Sequence, residues 1–212
     1  MKALLIIDIQ NDFLPGGSLA VPGGDQVVPR INELMPAYDL VVATQDLHPA
    51  EHGSFAANHE GRQPGDLIQL DGLDQVLWPV HCVEGSHGAA FSEKLLTRHL
   101  DHIVPKGGDP QVDSYSGFFD NDHRRATGLG DYLRREGVDA VDIAGLATDY
   151  CVKFTALDAL AEGFKVRLIL DACRGVDLKA GDIDAAVAEM KDAGVEVVNS
   201  KEVIKEFEAI ER

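Results

Sequence analysis

Cys151 lies in the run Gly145-Leu146-Ala147-Thr148-Asp149-Tyr150-Cys151-Val152-Lys153, where an apolar stretch ends in a tight turn and a helical pattern begins. A thiol at a helix N-terminus faces unpaired N–H groups and a partial positive charge, which favour thiolate and can hold a developing oxyanion. One turn thus offers a nucleophile and a charge stabiliser. Two other apolar stretches end in a single charged residue: Leu4-Leu5-Ile6-Ile7 in Asp8, and Ile103-Val104-Pro105 in Lys106. If the three stretches are parallel neighbours, Asp8, Lys106 and Cys151 meet at one sheet edge. Asp8 would be a general base with its pKa raised by burial, and Lys106 would favour the thiolate. The plainer readings are a carboxylate pinning the Gln10-Asn11-Asp12 turn and a surface lysine. Cys173 also follows a strand-like run and remains an alternative nucleophile, whereas Cys82, beside His81 in an irregular stretch, reads as packing.

A second constellation is suited to metal. In Asp46-Leu47-His48-Pro49 the residues i and i+2 of an extended segment point the same way, so a carboxylate and an imidazole converge. Trp78-Pro79-Val80-His81 supplies a third candidate ligand, His81. One Asp and two His with open positions suit Zn²⁺, Fe²⁺ or Mn²⁺ in a catalytic site. His52 and His59 are further candidates on equal terms, and solvated loop histidines are the plainer reading.

The elements that must position these residues are short apolar runs bounded by charge or glycine, over 3–7, 40–44, 102–105, 140–145, 166–170 and 195–199. Helical patterns lie between most of them. Helices are expected over 149–162, ending at Gly163, and over 182–193, ending at Gly194, with a first helix over about 25–37 that contains Pro29. Such alternation predicts an α/β fold of three layers, a mostly parallel central β-sheet with helices on both faces. Ligand sites in such sheets lie beyond the carboxyl ends of the strands. The long aperiodic stretch from Asp46 to about Ser86 belongs there and holds several of the eight histidines.

The 212 residues suffice for one domain with a sizeable core, and no linker divides them. With 19 Lys and Arg against 36 Asp and Glu, the net charge is −17, which excludes a nucleic-acid partner and suits a soluble acidic surface. No apolar stretch is long enough for a membrane span or a signal peptide, so a cytoplasmic protein is expected. Three cysteines without C-x-x-C spacing argue against a disulfide framework.

Taken together, these motifs resemble the nicotinamidases, or pyrazinamidases, of the isochorismatase-like hydrolase superfamily. The resemblance covers nearly the whole chain. It rests on Asp8-Ile9-Gln10-Asn11-Asp12-Phe13, Gly16-Gly17-Ser18-Leu19-Ala20-Val21, Thr44-Gln45-Asp46-Leu47-His48-Pro49 and Trp78-Pro79-Val80-His81-Cys82-Val83. It continues in Lys106-Gly107, Asp113-Ser114-Tyr115-Ser116 and the run around Cys151. The resemblance implies a catalytic triad of Asp8, Lys106 and Cys151, and one divalent metal, zinc first and iron or manganese next, on Asp46, His48 and His81. It also implies an oxyanion hole from the N–H groups of Ala147 and Cys151, a cis peptide between Leu146 and Ala147, and a ring pocket of Phe13, Leu19, Trp78 and Tyr115. A fourth protein ligand is left open among Glu51, His52, Asn58 and His59. The implied reaction is hydrolysis of nicotinamide to nicotinate and ammonia through a cysteine thioester, in pyridine-nucleotide salvage. The expected partner is a small-molecule substrate, with a homo-oligomer left open. An amidohydrolase of carbamoyl or ureido compounds, which shares the triad but lacks the metal trio, is the alternative enzyme; a non-catalytic pocket protein is the alternative from another class.

Overall fold

The structure is a computed structural model and describes residues 1–210. In chain order its elements are β1 (Lys2–Ile7), α1 (Val27–Leu34), β2 (Val41–Asp46), a hairpin of β3 (Leu67–Leu70) and β4 (Leu73–Val76), and β5 (His102–Lys106). They continue with α2 (Leu129–Arg135), β6 (Ala140–Leu146), α3 (Lys153–Ala161), β7 (Lys165–Arg174), α4 (Asp182–Ala193), β8 (Glu196–Val198) and α5 (Ser200–Ile210). Six strands form one sheet in the order β5-β2-β1-β6-β7-β8, with every neighbouring pair parallel. The expected α/β fold is present. The chain starts at the centre, winds out to β5, returns to β6 beside β1 and winds out to β8. A crevice opens beyond the carboxyl ends where such a strand order reverses, here between β1 and β6.

Side chains alternate across the sheet, so each strand feeds two cores. Leu4 and Ile6 of β1 pack on one face with Val27, Ile31 and Leu34 of α1 and Val203 of α5. Ala3, Leu5 and Ile7 pack on the other with Leu129 and Leu133 of α2, Ala156 and Ala159 of α3, and Met190 of α4. Burial on both faces is why the strands read as unbroken apolar runs. Pro29 stands in the first turn of α1, where no intrahelical N–H bond is lost. Gly163 and Gly194 take the left-handed backbone expected after α3 and α4.

Several boundaries differ from the sequence reading in ways that matter for the site. The helix expected from residue 149 begins instead as a wide π turn, Thr148–Val152, in which Tyr150 and Val152 both donate their N–H groups to the Ala147 carbonyl at 3.1 Å. Strands β2 and β5 run past their expected ends, so Asp46 and Lys106 are ladder residues in register with each other. β7 runs on to Arg174, which places Cys173 inside a strand and buries it. The short helix α2, the last helix α5 and the β3–β4 hairpin were not foreseen. α2 has only seven residues, and the hairpin's exposed and half-buried residues carry little apolar alternation.

One buried charge holds α5 to the sheet. Asp142, fully buried in β6, accepts bonds from Arg167 Nε at 2.8 Å, from a second Arg167 nitrogen at 2.6 Å and from the Tyr38 hydroxyl at 2.5 Å. Arg167 also reaches Glu206 of α5 at 2.7 Å. Replacing Arg167 by Leu is expected to strand the Asp142 carboxylate and lower unfolding stability by about 3–5 kcal/mol. Glu206→Gln, at a half-exposed position, is expected to cost under about 1 kcal/mol. Urea unfolding midpoints at constant slope check both.

Candidate active site

Three strand ends bring together the charged residues singled out in the sequence. Asp8 follows β1 with a left-handed backbone (φ 50°) and is completely buried. Its Oδ1 accepts the Thr44 hydroxyl at 2.6 Å, and its Oδ2 lies 3.0 Å from Lys106 Nζ. Among the described residues no donor is aligned on that Oδ2. Lys106 Nζ donates to Asp46 Oδ1 at 2.9 Å, to the Ser114 carbonyl at 2.8 Å and to Cys151 Sγ at 3.5 Å. Cys151 sits in the π turn after β6, which the cis Leu146–Ala147 peptide precedes.

Burial decides the protonation of this cluster. It pushes the Asp8 carboxyl up, against the pull of Lys106 and with the help of Asp46. It also pushes the Cys151 thiol well up, despite Lys106. Burial alone would lower Lys106, but Asp46 and Asp8 outweigh it and hold the ammonium charged. The turn and Lys106 favour the thiolate, as expected of them, but desolvation of a sulfur anion exceeds both at rest. The thiol needs a base at hand, and Asp8 is near enough that each shifts the other's protonation. Cys82 is fully buried and Cys173 is pushed up to about 12 by burial, so both are inert packing residues. None of the three cysteines is paired.

The second constellation adjoins the first through Asp46. His48 Nδ1 lies 2.7 Å from the Gly107 carbonyl and His81 Nδ1 lies 2.8 Å from the Pro79 carbonyl. A carbonyl only accepts, so both Nδ1 atoms carry protons and both Nε2 atoms turn inward. They face Asp46 Oδ2 at 2.8 and 3.5 Å. Lone pairs pointed at a carboxylate repel unless a proton or a cation lies between them. Accordingly Asp46, working against burial, pushes His48 up to about 9. The donor atoms of Asp46, His48 and His81 lie within 4.8 Å of one another, and all three residues are buried. Of the four further candidates, Glu51 and Asn58 are exposed, and His59 Nε2 is engaged by the Gly53 carbonyl at 2.7 Å. The ring of His52 lies 4.3 Å from that of His48. Its Nδ1 accepts the Ser54 N–H at 3.1 Å, so its buried Nε2 carries the proton.

Between the two constellations lies a narrow pocket. Its lining includes Phe13, Leu19, Trp78 and Tyr115, all four expected from the sequence, and also Val21, Tyr150 and Val176. Trp78 Nε1 donates to the Tyr115 hydroxyl at 3.1 Å, and both rings stand edge-on to Tyr150. Asp46, His81, Asp113, Ala147 and Cys151 complete the lining, so a flat apolar slot has a metal-type donor set on one side and a thiol on another.

The residues that fix these groups were largely missed in the sequence. The Gln10 amide clamps the Asp46 backbone, donating to its carbonyl at 2.7 Å and accepting its N–H at 2.8 Å. Asp12 accepts the Cys82 N–H at 2.7 Å and so holds the segment carrying His81. Both stand in the Asp8–Phe13 motif, which was the available signal. Gly107, at φ 76°, brings its carbonyl to His48; a Cβ there would lie 2.5 Å from the His48 ring.

The matching family model is the isochorismatase domain, over residues 2–202. The nicotinamidase of Escherichia coli K12 is 50% identical over 197 residues, 91% of this chain and 92% of that one. The chain belongs to the isochorismatase family, among the nicotinamidases. A structure of the nicotinamidase/pyrazinamidase of Acinetobacter baumanii, 46% identical, superposes with a TM-score of 0.93 over 95% of this chain and 97% of that chain. A structure of the pyrazinamidase of Pyrococcus horikoshii in complex with zinc, 38% identical, superposes with a TM-score of 0.74 over 93% and 98%. The nicotinamidase fold thus accounts for the sheet order and its crevice.

Gly107→Ala is expected to push His48 off its carbonyl partner and to destabilise the fold, because the added Cβ meets an unfavourable backbone angle and the imidazole together. A thermal scan should show a lowered midpoint, and activity should fall by more than the loss of folded protein accounts for.

Proposed function

We propose that the chain hydrolyses nicotinamide to nicotinate and ammonia, with pyrazinamide as a second substrate, as a step of pyridine-nucleotide salvage in the cytoplasm. The observation that carries this reading is the position of Lys106 Nζ, bonded at once to Asp46, to Cys151 and, as an ion pair, to Asp8. It joins a nucleophile and a base to a metal-type donor set across one aromatic slot. The alternative carbamoyl substrates would leave that donor set without a use. Among the described residues no helix is long and apolar enough to cross a membrane.

In the proposed reaction Asp8 takes the Cys151 proton as Sγ attacks the carboxamide carbon, and Lys106 offsets the charge that develops on sulfur. The N–H groups of Ala147 and Cys151 receive the oxyanion. Asp8 returns the proton to the amide nitrogen, which leaves as ammonia, and a thioester to Cys151 remains. Water then adds to that carbonyl, with Asp8 as base. The tetrahedral intermediate expels Sγ, which regains the proton, and nicotinate departs. Phe13, Leu19, Trp78 and Tyr115 enclose the ring and exclude bulk water.

Asp46, His48 and His81 would hold a divalent cation, zinc above iron or manganese; the two inward Nε2 lone pairs facing one carboxylate fit such an ion. When bound, it supplies a Lewis acid beside the pocket, suited to the pyridine nitrogen.

Ammonia release from nicotinamide, followed before chelation, after it and after metal is restored, tests the assignment; no release with any metal would sink it. Cys151→Ala is expected to abolish turnover while nicotinamide still binds in calorimetry. At pH 7 the metal-free site holds a proton on His48, whose pKa of about 9 lies above that pH. Zinc binding should therefore release about one proton, and apparent affinity should rise about tenfold per pH unit from pH 7 toward 9. Calorimetry in buffers of different ionisation enthalpy reads both quantities.

A further inference from the structure

Asp149 is a buried carboxylate in the nucleophile turn that the proposed chemistry does not use. Its Oδ1 accepts the Val176 N–H at 2.9 Å and its Oδ2 accepts the Asp177 N–H at 2.8 Å. One carboxylate thus accepts from the N–H groups of two successive residues and holds the segment after β7 by two bonds. Val176 lines the same pocket as Trp78 and Tyr115, and packs against the same core cluster as Leu19. Two further features hold the same segment. Gly175 runs so close to α4 that a Cβ would lie 2.4 Å from Ile183 and 2.9 Å from Asp149 Oδ1. Asp177 has a left-handed backbone (φ 55°), and its Oδ1 accepts the Gly181 N–H at 3.1 Å, tying the segment's far end to the start of α4.

We propose that Asp149 is a positioning residue that holds Val176 as one wall of the ring pocket, and that this wall sets which ring substituents the enzyme accepts. The inference rests on the nicotinamidase reading above. Val176 joins Leu19 and Val21 as the aliphatic part of the lining, so it discriminates by size: it admits an unsubstituted six-membered aromatic amide and excludes one carrying a methyl group toward Val176. A rigid wall is needed for such discrimination, because a backbone free to retreat would accommodate the extra carbon. The carboxylate supplies that rigidity from the same turn that carries Cys151, so wall and nucleophile keep a fixed separation.

The test compares kcat/KM for nicotinamide with kcat/KM for the four ring-methylated nicotinamides, in the metal-loaded, full-length protein. Val176→Ala is expected to raise the methylated-to-parent ratio for at least one isomer by about tenfold or more, the scale of one carbon in an apolar pocket. Asp149→Ala is expected to raise the ratio for the same isomer, and the double variant to go no higher than Val176→Ala alone, since both act through one wall. Should Asp149→Ala fail to fold, Asp149→Asn keeps one acceptor oxygen and is expected to give the same change at smaller amplitude. An equal loss for parent and methylated substrates in the Asp149 variants would reduce the residue to fold maintenance and overturn the proposal. So would Val176→Ala with all four ratios unchanged. Failure of the unaltered protein to hydrolyse nicotinamide at all would instead overturn the reading beneath it, and is told apart by that control.

Discussion

The site depends on one fully buried ammonium. Lys106 faces two carboxylates, Asp8 at 3.0 Å and Asp46 at 2.9 Å, in a place from which solvent is shut out. Removing three charges from water costs several kcal/mol per ion, and their mutual attraction offsets this only with close geometry and satisfied hydrogen bonds. The Ser114 carbonyl, which accepts from Lys106, and the Thr44 hydroxyl, which donates to Asp8, supply part of that requirement, and His48 Nε2 lies against Asp46 Oδ2. Even so, two carboxylates against one ammonium leave negative charge to be neutralised. A proton on His48 does so at rest, and a bound cation would do so in its place. Desolvation, helped by the neighbouring Asp8 and Asp46 charges, keeps Cys151 a thiol.

This arrangement needs the sheet order. Parallel strands deliver their carboxyl ends to one edge, and the order β5-β2-β1-β6 sets Lys106, Asp46, Asp8 and the Cys151 turn on four successive strands. The register that pairs Asp46 with Lys106 makes their contact a property of the ladder. Side-chain rotamers then have little to decide. The π turn opens the start of the following helix by one residue and sets Cys151 over the pocket, a distortion that recurs where helices meet functional sites.

What was legible in the sequence were the residues that interrupt a pattern. Asp8 and Lys106 end apolar runs, Cys151 opens a helix, and Asp46 and His48 share a strand face; each break is local. His81 was legible through the rigid Trp78-Pro79 context. The supports were not legible, because Gln10, Thr44 and Asp149 act through hydrogen bonds to partners far away in sequence, and no periodicity marks such a bond. The weight of desolvation on the thiol was not legible for a related reason. Helix position and a neighbouring lysine can be read from local sequence, whereas desolvation depends on everything packed around the sulfur. The ends of β2 and β5 moved by a residue or two, and that shift turned Asp46 and Lys106 from loop residues into paired ones.

The long excursion between β2 and β5 leaves and re-enters the sheet on adjacent, hydrogen-bonded strands. Because those strands are parallel, its two ends lie at opposite edges of the sheet, a fixed strand length apart, and closing a longer loop adds only about 0.6 kcal/mol per doubling. The excursion carries Trp78 and His81 and the hairpin behind Tyr115, whereas the strands that frame it carry Lys106 and Asp46. A lineage could lengthen, shorten or rebuild this segment without disturbing the bond-making residues. Substrate choice and metal dependence can thus drift separately from the chemistry of acyl transfer, and a single sheet can serve amides of quite different shape.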